Sequence, residues 1–435
     1  MALHYGSSSA FLLLLLFISS RCAAKTSLIL PVTKDSSTLQ YTTHVYQRTP
    51  LVPVKLTVDL GGNSLLLDCE EGYVSSSYKS VNCKSAHCVL AKPTSCGDGC
   101  YTHTLWYCNK KACFTSQYNL LNQTSLLSYT FAEAAEDVLS IPIRSGSTGG
   151  ETAVSVPRFV FNCVPTWFIG NAVARGVKGM AGLGRSYIAL PTQLAQAFSF
   201  PRKFALCLSS STKEASGVIV FGDYRVDRSK LSLIYTPILT NPRSSKYIGQ
   251  RESSEYFIGV KSIRVNGKKV PLNTTLLSFD DEGNGGTRIS TVNPYTILES
   301  SIYEAVKEAF VRELPASVTG VTPPPGAPFG VCFRGIHSSS REVPSIDLVF
   351  PRKNVYWRIH GANSMVQVGK DVTCLGFVDG RNLPLLPASS VVIGGHQIED
   401  NLLEFDLQRS RVGFSSSLSL HQTTCAHFHS MSSRV

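Results

Sequence analysis

Short runs of apolar, β-branched and aromatic residues recur along this chain, broken by Gly, Pro, Ser and Asn. Runs at 28–32, 38–46 and 56–60 predict strands, rich in β-branched and aromatic residues. In the third, Leu56, Val58 and Leu60 alternate with other residues, then Gly61-Gly62 turns the chain, and Leu65, Leu66 and Leu67 resume. This stretch carries one acid, Asp59, into a tight glycine turn. Such an acid is either an ordinary turn residue or a carboxylate presented at the floor of a cleft.

Further strands are predicted at 138–143, 157–163, 204–208 and 217–222, with a short amphipathic helix at 190–198 that has Pro191 near its start. A polar stretch, 241–255, reads as a linker. Beyond it the same kinds of element begin again. Strands are predicted at 256–260 and 263–268, the latter ending in an Asn266-Gly267 hairpin turn. Others follow at 285–292, 346–350, 355–359, 391–396, 403–407 and 411–414, and helical spacing covers 302–314. Each half contains a strand ending in a special turn, then a helix and an apolar-apolar-glycine strand, Met180-Ala181-Gly182 and Val392-Ile393-Gly394. Glycine at that point suits close crossing of two backbones. Two β lobes of this kind, 25–240 and 256–435, would enclose a long cleft.

Composition places the chain outside the cell. Of 435 residues, 43% are hydrophobic and only 16% charged, the balance of a β-rich secreted protein. Residues 11–18 are all apolar but too few to cross a bilayer, and the small residues at 19–24 suit cleavage, so 1–24 read as a signal peptide. No later segment has the length and apolarity of a membrane helix. Cys22 falls in the leader, leaving an even number of the 13 cysteines, which implies six disulfides in an oxidising compartment. Seven lie between Cys69 and Cys113, in a stretch with little regular pattern that reads as a stapled insertion. Their irregular spacing does not suit zinc. Cys425-Ala426-His427-Phe428-His429 reads as a flexible tail in preference to a metal grip. No metal or cofactor is expected. Asn122 and Asn273 begin glycosylation sequons. The formal charge is +11 with basic residues scattered. That excludes a nucleic-acid stripe and favours acidic polymers or acidic protein surfaces as partners.

The order of elements resembles the two-lobed pepsin-like aspartic protease fold. The motifs narrow the likeness: Arg48-Thr49-Pro50-Leu51, Val58-Asp59-Leu60-Gly61-Gly62, Tyr73-Val74-Ser75-Ser76-Ser77-Tyr78, Gly179-Met180-Ala181-Gly182-Leu183-Gly184-Arg185, Glu255-Tyr256-Phe257-Ile258-Gly259-Val260, Ile289-Ser290-Thr291-Val292-Asn293-Pro294 and Ile393-Gly394-Gly395-His396-Gln397. Together they resemble the plant secreted group of extracellular dermal glycoproteins, basic 7S globulins, xyloglucanase inhibitors and TAXI-type xylanase inhibitors, over essentially the whole mature chain.

The resemblance locates a damaged catalytic site. An aspartic protease sets one carboxylate from each lobe beside a shared water, one as base and one as acid. The family pattern is Asp-Thr-Gly in both lobes. Here the first site reads Asp59-Leu60-Gly61 and the second Ser290-Thr291-Val292. A serine hydroxyl cannot replace the second acid. Asp281 and Glu282 precede Ser290 in a Gly-rich loop and look like exposed turn residues. Of the two threonines that brace the turns, Thr291 alone is left. The Tyr-Gly-Thr/Ser-Gly flap signature is missing, and Tyr129-Thr130-Phe131-Ala132 occupies roughly that region. The resemblance therefore implies a non-peptidase inhibitor of microbial glycoside hydrolases in the apoplast. In that group a basic side chain on a second-lobe loop meets the catalytic acids of the hydrolase. The matching loops are 311–330, with Arg312, and 379–390, with Arg381. Two other readings stay open: a wall or storage protein binding peptides, glycans or acidic polymers, and an endopeptidase with an altered site. The family likeness also pairs Cys332 with Cys374 and suggests that Cys207 and Cys425 link the lobes.

Overall fold

The computed structural model describes residues 27–427 apart from 71, 98–110, 120, 122–128, 145–150, 171, 215, 225–230, 243–251 and 383–388. The expected signal peptide and Asn122 lie outside the described residues. The protein is mainly β, with the pepsin-like two-lobed arrangement.

Four strands in each lobe frame the site, and they pair in the same way. In the first, Val52–Asp59 runs parallel to Val177–Gly182, which is antiparallel to Leu65–Asp68, itself parallel to Glu151–Val164. In the second, Thr287–Ile289 runs parallel to Val391–Ile393, which is antiparallel to Thr296–Leu298, itself parallel to Phe377–Asp379. The two apolar-apolar-glycine strands are the crossing points. A Cβ on Gly182 would lie 2.1 Å from the Ser64 carbonyl oxygen, and one on Gly394 would lie 2.2 Å from the Tyr295 carbonyl carbon. Ser64 is five residues past Asp59, and Tyr295 is five past Ser290. The repeat in the sequence is thus a repeat in space.

A six-stranded antiparallel sheet joins the lobes, in the order Leu28–Lys34, Gly217–Phe221, Lys203–Cys207, Leu402–Asp406, Arg411–Phe414 and Ile234–Leu239. Its inner strands Gly217–Phe221 and Leu402–Asp406 are buried at every position; the first reads as an unbroken apolar run, while the second carries the buried acids Glu404 and Asp406. At its centre Phe204 faces Phe405, the rings stacked with centroids 4.8 Å apart, and Tyr256 closes on Phe405 at 4.5 Å.

The 263–268 hairpin forms as expected: Asn266 and Gly267 both have positive φ, as a type I′ turn demands. Other expectations need correction. The helices do not repeat in step with the strands. Leu190–Phe198 follows its apolar-apolar-glycine strand, whereas Ser300–Arg312 precedes the second one. The cysteine-rich insertion is partly regular, with helix Ala86–Ala91 and strands Ser95–Gly97 and Ala112–Tyr118. Short, disulfide-held elements give little periodicity. Five disulfides lie among the described residues: 69–163, 83–96, 88–113, 207–425 and 332–374. Cys83, Cys88 and Cys96 bring their sulfurs together, but as disulfides they offer no thiolate to a metal. Cys425 is no loose tail. It is fully buried, bonded to Cys207, and its N–H donates to Asp400 Oδ1 at 2.8 Å.

Candidate functional site

Asp59 ends strand Val52–Asp59 and is 6% exposed. Its Oδ1 accepts from the Gly61 N–H at 3.0 Å, and its carbonyl accepts from Leu183 N at 2.9 Å. Gly62 must be glycine: a Cβ there would lie 2.9 Å from both Asp59 Oδ2 and Gly182 Cα. The turn thus holds the carboxylate against backbone.

Ser290, 3% exposed, occupies the matching place after strand Thr287–Ile289. Its hydroxyl donates to Asn293 Oδ1 at 2.9 Å and accepts from Val292 N at 3.3 Å. The second turn is closed upon itself by these bonds. Between the turns runs a one-sided brace. Thr291 Oγ1 donates to the Val58 carbonyl at 2.7 Å and accepts from Leu60 N at 3.0 Å. Leu60, fully buried, has no hydroxyl with which to return those bonds.

Val292 stands where the family pattern has glycine. It is 2% exposed and belongs to one apolar cluster with Leu66, Ala132, Phe168 and Met180 of the first lobe. Tyr118 packs against the same cluster. That residue escaped the sequence reading. The expected flap segment 129–132 is the far arm of a hairpin in which Tyr118 faces Tyr129 and Gln117 faces Thr130. Tyr118 leads into the tip. Without the flap glycines, nothing in the local sequence distinguishes one arm from the other.

Asp281 and Glu282 are exposed, in a turn organised by Asp280, whose carboxylate accepts from Glu282 N and Asn284 N. Glu133 is a buried carboxyl not singled out from sequence. Burial raises its pKa, against a hydrogen bond from Ser80 that lowers it. It sits opposite Cys163, whose strand neighbour is Leu67, so two strands lie between it and the strand Val177–Gly182 that borders Asp59.

The two candidate inhibitory cations are not brought together. Arg381 lies in the turn Gly380–Asn382, its side chain 66% exposed and 3.4 Å from Asp379 Oδ2. Asp379 also accepts from Ser300 Oγ at 2.6 Å, which ties this loop to the start of helix Ser300–Arg312. Arg312 is exposed at the other end of that helix, about 18 Å away at 1.5 Å per residue. There it complements the helix dipole. Residues 383–388 of the second loop lie outside the described residues. Asn273 is exposed, its Oδ1 accepting from Thr275 Oγ1 at 2.7 Å.

Comparison with known proteins follows the same lines. A family described as xylanase inhibitor, N-terminal, matches residues 41–223, and its C-terminal counterpart matches 255–416. A probable aspartic proteinase, GIP2, from Nicotiana benthamiana is 51% identical over 95% of this chain and 95% of its own. Basic 7S globulin from Glycine max is 36% identical over 98% and 97%. Among solved structures, one described as edgp aligns with a TM-score of 0.83 at 49% identity, covering 93% of this chain and 98% of the other. An aspartic proteinase from Irpex lacteus aligns at 0.55 with 15% identity, over 90% and 98%, which shows the shared fold alone. The chain belongs to the xylanase inhibitor family, the group of basic 7S globulins and conglutins built on the pepsin-like aspartic protease fold.

Proposed function

We propose that this chain is a secreted, proteolytically inactive member of its family that inhibits microbial glycoside hydrolases in the plant apoplast. One observation carries the inactivity: Ser290 stands opposite Asp59, and its hydroxyl is committed to Asn293. A carboxylate and an alcohol have no proton to share at working pH, so water between them is not activated. The family models, described by xylanase inhibition, support a hydrolase as partner. Exposed Arg381 is the cation best placed to reach acids in a hydrolase cleft, where charge-assisted bonds are strong.

The test assays fungal xylanases and xyloglucan-specific endoglucanases with and without the purified protein. Inhibition of at least one enzyme is expected, and Arg381→Ala should weaken it about tenfold, or more if the bond is desolvated. Mature protein should leave a denatured substrate uncut at mildly acid pH, with or without pepstatin. Pepstatin-sensitive cleavage would establish the endopeptidase reading instead. No inhibition across the panel would leave the formal charge of +11 as the guide, and with it a role in binding acidic wall polymers.

A further inference from the structure

Behind the Asp59 turn the chain builds a second polar site. Arg185 follows the glycine crossing 179–184, and its N–H donates to the Ser254 carbonyl at 2.9 Å. The side chain is partly buried. One guanidinium nitrogen donates to Thr240 Oγ1 at 3.0 Å and to the Ser253 carbonyl at 3.2 Å, while Nε is buried with no partner. Beside it opens a cavity of about 200 Å³ lined by Lys92, Arg185, Ser186, Tyr187, Arg202 and Glu252 among others. A smaller cavity of about 60 Å³ shares Lys92, Arg185, Ser186 and Glu252 and reaches Asn63 of the Asp59 turn.

Among the described residues, three cations and one carboxylate line this space. Among the described residues, Arg185, Arg202 and Lys92 have no ion-pair partner within 4 Å. Arg202 Nη2 donates a long bond, 3.4 Å, to the Leu407 carbonyl. Burial pulls the Arg185 pKa down, and the like charge of Arg202 pulls it further, against the opposing influence of Tyr256 and Glu252. A fold that gathers like charges at a cavity without pairing them leaves a place for an anion. At ~30 Å³ per water, the larger space holds roughly six waters, enough for an oxyanion and part of the group that bears it. At its rim Tyr187 is 52% exposed, an aromatic face on which a sugar ring can lie.

We propose that Lys92, Arg185 and Arg202 form an oxyanion-binding site between the lobes, suited to the carboxylate of an acidic sugar or to a phosphate or sulfate ion. Guanidinium and ammonium groups take such anions by charge-assisted, partly bidentate bonds. The site does not depend on hydrolase inhibition.

Calorimetry on the full mature glycoprotein at low salt tests it, with trigalacturonate, inorganic phosphate and sulfate in separate arms and a neutral xylose trisaccharide as control. At least one anion should bind saturably, the neutral sugar should not, and affinity should fall as salt rises. Lys92→Ala and Arg202→Gln should each weaken binding at least about tenfold, the loss expected for one charge-assisted bond. Lys353→Ala, at an exposed residue outside the lining of either cavity, should leave it unchanged. Unliganded melting curves confirm that each variant is folded. Tyr187→Ala separates the sources: a loss for trigalacturonate alone assigns the site to an acidic sugar, and binding of phosphate or sulfate alone assigns it to the free ion. Absence of binding in all three anion arms, or binding that both cation variants leave intact, overturns the proposal.

Discussion

At the residue scale, the two turns present an acid on one side and an alcohol on the other, held in a frame braced from one side only. Asp59 keeps its glycine turn and Thr291 keeps its reach across to Val58 and Leu60. Against the family pattern the chain lacks the second carboxyl, at Ser290, the bracing hydroxyl at Leu60 and the glycine at Val292. Thr291→Val preserves shape but removes the acceptor of the Leu60 N–H and the donor to the Val58 carbonyl. Chemical denaturation should show a loss of about 1–3 kcal/mol, since a buried donor is left unmet. Ser290→Asp returns the second acid but neither the hydroxyl missing at Leu60 nor the glycine missing at Val292. No peptidase activity on a denatured protein substrate is expected. A second buried acid near Asp59 has its pKa raised above the unfolded value. Such a group destabilises the fold as pH rises through the unfolded value. The variant should therefore be weaker than the parent at pH 7, and the gap should close below about pH 4.

At the element scale, strand Leu28–Lys34 and helix Gly395–Ile398 meet through a buried carboxylate just beyond that helix. Glu399, 2% exposed, lies 2.6 Å from Lys34 Nζ and accepts from Tyr41 OH at 2.6 Å, with His396 Nδ1 at 3.4 Å. Burial pushes its pKa up, but the bonds from His396 and Lys34 outweigh this and hold it below the usual carboxylate value. A depressed carboxylate stabilises the fold above its unfolded pKa, about 4.3, and that stability drains away as pH falls through the lower folded value. Glu399→Gln should cost about 3 kcal/mol near pH 6, with the difference from the parent shrinking as pH is taken down toward 3. Urea titrations at a series of pH values check it. The sequence could not show this network, because Lys34 and Glu399 are far apart along the chain and each looks like an ordinary surface residue. Half-buried strands were legible from their β-branched and aromatic content: Leu28–Lys34 buries alternate residues, and Tyr41–Gln47 does so from Thr43 onward. So was the glycine crossing, because only Gly182 and Gly394 fit where the backbones meet. The hairpin of Leu402–Asp406 with Arg411–Phe414 was legible too, but the pairing of Leu402–Asp406 with Lys203–Cys207, about 200 residues away in the chain, was not. At the site, Asp59, Ser290 and Thr291 could be placed from their motifs. Tyr118 could not, since its role depends on which hairpin arm folds over Val292.

At the scale of the whole molecule, neither lobe is closed without the other. Strand Lys203–Cys207, early in the chain, is flanked by Gly217–Phe221 on one side and by Leu402–Asp406 on the other. Producing either half alone would strip Phe204 of its stacking partner Phe405 and expose an apolar strand edge. The Cys207–Cys425 disulfide fastens this junction across a separation of 218 residues. In the chain-entropy view a loop of that size constrains the unfolded state strongly, and removing a native disulfide typically costs about 2–5 kcal/mol. Both sulfurs are fully buried, so replacing the pair by alanine leaves no polar atom to satisfy. The double variant Cys207→Ala with Cys425→Ala should lose stability within that range. It should also still unfold in one step, because the six-stranded sheet holds the halves together after the covalent tie is gone. Calorimetric unfolding distinguishes the outcomes. Two separate transitions in the variant would mean that the disulfide, and not the shared sheet, makes the lobes one cooperative body.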